Sequence, residues 1–203
     1  MKTIIYSILT LCLGLVLSSG SCSPDAMVSP DPDGVLIKGT IWAKYNVETP
    51  GTFAAKPENP GMFYQWNSNK AWPATEPITG TWPSVISAPT TWQDTNNPCP
   101  EGWKVPSLAQ LETLISSGHK QAVLNGVAGH QFGNGANTIF LRTGGCRSFS
   151  GGTLTDSGST GHYWTSDCHA GTYAKDLYFY GSYAEANVHL MGYGMLVRCV
   201  KKP

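Results

Sequence analysis

The sequence predicts an α+β domain in which short strands and hairpins pack around one clear capped helix and are joined by long irregular loops. Three observations carry this prediction. Charged residues make up only 13 % of the 203-residue chain, while 23 glycines and 14 prolines punctuate it, a composition suited to many short elements rather than a helical bundle. One segment, 107–117, carries the start, apolar stripe and stop of an amphipathic helix. Apolar alternation broken by glycine turns recurs through the last third of the chain.

The N-terminus sets the compartment. Lys2 precedes an apolar run, Ile4 to Leu17, interrupted only by Ser7, Thr10 and Gly14, and the small residues Ser18, Ser19, Gly20 and Ser21 lead to Cys22. A basic start, a short apolar core and small residues at the cut make a secretory signal over 1–21. The apolar run is shorter than the roughly 20 residues of a comfortable spanning helix. Small residues directly before a cysteine look like a lipobox, with Ser19 where Leu is usual, so Cys22 is the expected lipidation site. Plain secretion and an uncleaved anchor are the alternatives. Residues 22–34 hold three prolines and three aspartates and read as a flexible tether. The expected location is the outer membrane, with the domain at 35–203 exposed at the cell surface or facing the periplasm. Without Lys2 the chain carries 12 basic and 13 acidic residues and no basic stripe, which argues against a nucleic-acid partner.

Along the domain, Val35 to Ala43 reads as one strand with Val35, Ile37, Ile41 and Ala43 on a common face. Residues 46–60 are loop, 61–66 a short aromatic strand, and 67–98 a long irregular stretch holding Trp72, Trp82 and Trp92 among five prolines. Ser107 and Gln110 form a capping box; Leu108, Leu111, Leu114 and Ile115 form the apolar stripe; Gly118 closes the helix. A shorter helical turn is expected at Lys120–Leu124, before Asn125-Gly126. Strands follow at 139–141, 152–155 and 163–165. Leu177 and Phe179 lie on one face of 174–180, with Tyr178 and Tyr180 on the other. Gly181-Ser182 turns into 186–190, and 195–200 is the last strand.

Six cysteines are present; Cys12 leaves with the signal and Cys22 takes the lipid. Cys99, Cys146, Cys168 and Cys199 remain, an even number in an oxidising compartment, which predicts two disulfides. Three pairings are open to them. No pair has the C-x2-C spacing of a zinc site.

The blocks IKGTIWAKYNV (37–47), PGTFA (50–54), GMFYQWN (61–67), PCPEGWKVPSLAQLETL (98–114), GHYWTSD (161–167) and MLVRCV (195–200) occur in this order. Together they closely resemble the Fibrobacter succinogenes major paralogous domain, found in lipoproteins of Bacteroidetes and Fibrobacteres, over about residues 35–200. The resemblance implies a fold similar to C-type lectins and formylglycine-generating enzymes and no settled activity. It also implies the pairings Cys99–Cys199 and Cys146–Cys168. In the entropic account these would contribute ~4–5 and ~3 kcal/mol. Arg198 and Lys201 read as polar flanks of a buried strand end.

Catalytic signatures are missing. The calcium-binding triplets of C-type lectins do not occur, and the 146–168 loop offers only Asp156 and Asp167, too few for a cation needing six to eight oxygens. The paired late cysteines of formylglycine-generating enzymes are absent. Thirteen acids are scattered without a cluster suggesting a glycosidase. His162 and His169 flank Cys168 and read as solvent-facing loop histidines. No cofactor or metal is expected. Trp42, Trp66, Trp103 and Trp164 fall in apolar blocks and read as core. Trp72, Trp82 and Trp92 in the irregular loop, with Tyr178, Tyr180 and Tyr183 on the hairpin, are the candidate ligand-contacting aromatics, the alternative being that they cover the loop's own core. The sequence therefore favours a non-catalytic binding or adhesion module for glycans or an envelope protein; a structural subunit of a fimbrial or envelope assembly is the second reading, and a glycan-active enzyme the third.

Overall fold

A computed structural model describes residues 31–83 and 89–203. In chain order the elements are β1 (Gly34–Ile37), β2 (Thr40–Asn46), β3 (Tyr64–Gln65), β4 (Trp103–Lys104), α1 (Leu108–Ser116), β5 (His119–Leu124), β6 (Val127–Asn134), β7 (Asn137–Arg142), β8 (Cys146–Arg147), β9 (Leu154–Thr155), β10 (Thr160–Ala170), β11 (Tyr173–Tyr180), β12 (Tyr183–Leu190), β13 (Gly194–Met195) and β14 (Arg198–Lys201). They form four antiparallel sheets, ordered β1-β2-β14-β4, β10-β11-β12, β3-β13-β8-β9 and β5-β6-β7. Strand takes 47 % of the described residues and helix 7 %. The fold is therefore β-rich, and the expected α+β, lectin-like class is corrected.

Two local misreadings account for the difference. The expected strand over 35–43 is a hairpin, because Lys38 and Gly39 both take positive φ (48° and 82°) and turn β1 back on β2, pairing Ile37 with Thr40. The expected helical turn at 120–124 is β5. Asn125 and Gly126, again both at positive φ, join it to β6, and β7 completes a three-stranded meander over 119–142. Lys120 on one face of β5 and Gln121 and Val123 on the other are all exposed, so the strand lacks the clean apolar alternation that would have marked it.

The helix forms as predicted. The Ser107 hydroxyl accepts from the Gln110 amide and the Ser107 amide donates to the Gln110 side chain. Asp167, on β10, adds a carboxylate that accepts the Leu108 amide at 2.8 Å, a negative group at the positive end of the helix. Leu111 and Leu114 bury the apolar stripe in one core cluster with Trp42, Phe63, Phe132, Leu177 and Phe179; a second cluster holds Tyr64, Trp66, Trp103, Trp164 and Val197.

Arg198 is not a polar flank. It is 1 % exposed, and its guanidinium donates to the carbonyls of Ala43, Lys44 and Phe140 and to the Asn46 side-chain oxygen. Asn46 in turn donates to the carbonyls of Asn59 and Pro60. One cation thus fastens β14 to β2, β7 and the 46–60 loop. Burial lowers its pKa to about 10, which leaves it charged at neutral pH. Arg147, also fully buried, does the same for the long loop: it donates to the carbonyls of Pro73, Thr75 and Gly152 and pairs with Glu76 at 3.0 Å.

Two outcomes are expected. Arg198→Met leaves several buried acceptors unpaired at about 1–3 kcal/mol each, so urea unfolding should show a loss of at least about 3 kcal/mol; a loss under about 1 kcal/mol would refute the clamp. His130 is buried with its Nε2 against the Gly181 carbonyl at 2.7 Å and its Nδ1 unpartnered, and burial lowers its pKa below 6.5. As pH falls below 6.5 the unfolded chain takes up this proton and the folded one resists it, so stability falls until the folded ring also protonates. His130→Phe should flatten that acid limb in thermal melts taken between pH 7 and 5.

Candidate functional site

Antiparallel pairing on the β10-β11-β12 sheet sorts its side chains by alternation. Tyr163, Leu177, Phe179, Ala184 and Ala186 face the core and α1. The opposite face carries His162 on β10, Asp176, Tyr178 and Tyr180 on β11, and Tyr183, Glu185 and His189 on β12.

These aromatic rings make a continuous row. Tyr183 lies 5.5 Å from Tyr180, Tyr180 5.3 Å from Tyr178, Tyr178 4.8 Å from His162, and His162 5.1 Å from His189. Tyr193 extends the row at 5.4 Å from His189, and Phe149 ends it 5.4 Å further on. Tyr180 and Tyr183 are 47 % and 45 % exposed, whereas His162 is buried. The Tyr183 hydroxyl donates to Glu185, which raises its pKa; burial, then the neighbouring Tyr180 and acids, raises that of Tyr178. Both phenols stay neutral well into alkaline pH and present hydroxyls beside apolar ring faces.

At the centre of the row three ionisable groups converge. The His189 Nδ1 lies 2.9 Å from one oxygen of Asp176, and the His162 Nδ1 lies 3.5 Å from the other. Asp176 is completely buried. No local pattern marks this trio, since it spans three strands and 28 positions. His162 is not the solvent-facing loop residue expected; His169, near the exposed end of β10, is exposed.

The predicted aromatics divide into two groups. Trp72 and Trp82 are 2 % and 7 % exposed, packed with ring centroids 4.7 Å apart and planes tilted by 48°, and belong to the core cluster that the 67–83 loop covers. Their burial favours the alternative that they cover the loop's own core. Trp92 is half-buried, edge-on to Trp66, with its indole N–H spent on the Asn96 carbonyl. Tyr178, Tyr180 and Tyr183 are brought together on the outer face. Phe149, Glu185 and Tyr193 were missed, although the 181–182 turn already fixes Glu185 opposite Tyr178. Of the two loop acids, Asp167 caps α1 and Asp156 occupies a left-handed turn position at φ 56°.

Cys99 and Cys199 are bonded, with Cα atoms 6.1 Å apart. Cys146 and Cys168 carry free thiols, so the second expected disulfide is corrected. The reason is register. Gly145 bridges Gly161, which puts Cys146 beside the start of β10, and Cys168 lies seven residues beyond Gly161. At the ordinary strand rise that is roughly 20 Å, far outside disulfide reach. Burial pushes the Cys146 thiol pKa up and makes it a weak nucleophile. Cys22 and the expected signal lie outside the described residues.

Peptide mapping of non-reduced protein should give a Cys99–Cys199 peptide, with Cys168 alkylated quickly and Cys146 only on unfolding. Replacing Cys99 and Cys199 by Ala should cost about 4–5 kcal/mol. A Cys146–Cys168 peptide would contradict the structure.

Comparison of the chain with protein-family models, with characterised proteins and with solved structures finds no match.

Proposed function

We propose that the chain is a non-catalytic binding module, held at the cell surface by a lipid on Cys22, that takes carbohydrate on the outer face of the β10-β11-β12 sheet. The observation that carries this reading is the row of Tyr178, Tyr180 and Tyr183 on one rigid hairpin. Ring spacings of 5.3 and 5.5 Å give a strip on which the apolar faces of successive sugar rings can stack. Glu185 and the phenol hydroxyls supply acceptors and donors for sugar hydroxyls at the same level. Because the rings stand on paired strands rather than on a loop, little ordering entropy is lost on binding. The N-terminal sequence, which reads as an export signal ending at Cys22, supports the same reading.

A second reading rests on a different observation. Strand β12 is eight residues long and pairs only with β11 among the described residues. Its open edge suits addition of a strand from a partner chain, as an accessory of a fimbrial or envelope assembly would require.

Affinity electrophoresis against a panel of soluble polysaccharides tests the first reading. At least one should retard the wild-type domain, and Tyr180→Ala and Tyr183→Ala should each weaken that binding by about tenfold, or ~1.4 kcal/mol. Retardation unchanged in the Tyr180→Ala, Tyr183→Ala double variant would reject this face as the site. Retardation by none of the panel would favour the assembly reading.

A further inference from the structure

We infer that His162, Asp176 and His189 form a binding site for a divalent transition metal ion of the zinc type. The inference is independent of what the tyrosine row binds. It rests on three side chains from three adjacent strands that converge until one ligand atom of each lies within 4.8 Å of the others. Each is held by the pairing of its strand: Trp164 lies opposite Asp176, His162 opposite Tyr178, and His189 opposite Ala174. The donors are therefore positioned by the sheet itself.

The hydrogen bonding of the trio is incomplete in the way a cation would complete it. Asp176 is fully buried and His162 nearly so, yet the Asp176 Oδ2 and the His162 Nδ1 have no hydrogen-bond partner and face each other at 3.5 Å. An unpartnered carboxylate oxygen in the interior is costly, and so is an unpartnered ring nitrogen. An ion between them satisfies both and neutralises the buried charge.

The donor set selects the metal. Two imidazole nitrogens and one carboxylate suit zinc and its first-row neighbours, and they offer too few oxygens for calcium or magnesium. Zinc–ligand bonds of about 2.0–2.2 Å place neighbouring ligand atoms about 3.3–3.5 Å apart in a tetrahedron. The 2.9 and 3.5 Å separations found here are close to that spacing, and the widest gap in the trio, up to 4.8 Å, closes on the ion by about 1.4 Å. His189 retains 24 % of its side-chain exposure, which gives the ion an entry path and leaves its fourth position open to water or to a ligand donor.

The test uses the full-length chain in detergent, treated with chelator and then titrated with Zn²⁺ by calorimetry and with Co²⁺ by absorption spectroscopy. A Cys168→Ser background removes the accessible thiol. One equivalent of Zn²⁺ should bind saturably. The Co²⁺ complex should show visible d–d bands and no thiolate charge-transfer band. Asp176→Asn and His189→Gln should each weaken binding by at least about tenfold, the loss seen on removing even an outer partner of a metal ligand. If either variant fails to fold, the imidazole ¹⁵N shifts of His162 and His189 in the parent protein, with and without Zn²⁺, decide the matter: both should move. Absence of saturable binding, a thiolate band, folded variants that bind as tightly as the parent, or unmoved imidazole shifts would each overturn the site.

Discussion

The guanidinium of Arg198 is the constraint on which this architecture depends. Four small sheets and one short helix cannot hold themselves in register by ladder hydrogen bonds alone, since β3, β4, β8, β9 and β13 contribute only two residues each. Arg198 joins three of the separate pieces by accepting burial in return for bonds to acceptors on β2 and β7 and, through Asn46, to the loop at Asn59 and Pro60. Five fixed donors in one plane make arginine suited to gathering carbonyls that approach from different elements. Arg147 repeats the device where the proline-rich loop supplies carbonyls with no strand to satisfy them. A low-charge sequence has placed two of its few cations at the interior points where irregular backbone needs donors.

What could be read from the sequence was whatever is specified within a few residues. The capping box at Ser107 and Gln110, the stripe through Leu111 and Leu114, and the hairpin around Gly181-Ser182 are local patterns, and each is found where expected. Lys38-Gly39 was missed because the apolar alternation on either side continues through it, so the turn is marked only by its backbone conformation. Trp72 and Trp82 were misplaced for the opposite reason: their surroundings look like a solvent loop, and contacts from other segments, the Phe63–Trp72 bridge, Gln65 on Pro83 and Arg147 on Pro73 and Thr75, bring that loop down as a cover over the core. Of the candidate site, the three tyrosines and the position of Glu185 follow from hairpin register. His162 does not, because its strand arrives from the other side of β11, and nothing in the segment 148–161 announces the pairing. The Cys146–Cys168 pairing carried over from the family resemblance failed on register as well.

The β10-β11-β12 sheet explains how one element serves both stability and recognition. Its inner face is aliphatic and aromatic and packs on α1, while its outer face concentrates histidine, tyrosine and carboxylate. A strand that alternates in this way transmits the rigidity of the core directly to the outer side chains, because each exposed ring has buried neighbours on the same backbone. Part of that face is itself covered: Asp176, Trp164 and Ala174 lie on it fully buried, and His162 nearly so.

The ion pair of Asp31 with Lys201, 2.7 Å long, brings the entry of the domain next to its exit, and the Cys99–Cys199 bond lies two residues before that exit. A pull applied through residue 31 enters the molecule at β1, the outermost strand of its sheet. The load is then shared between the β1–β2 rungs, which pass it to β14 through β2, and the Asp31 contact, which passes it directly to Lys201 on β14. Once there it meets a covalent crosslink that cannot yield before the hydrogen bonds around it do. The β1–β2 hairpin thus acts as the mechanical fuse of the domain, and the sheet bearing the tyrosines lies behind the crosslink, shielded from the force that would detach it.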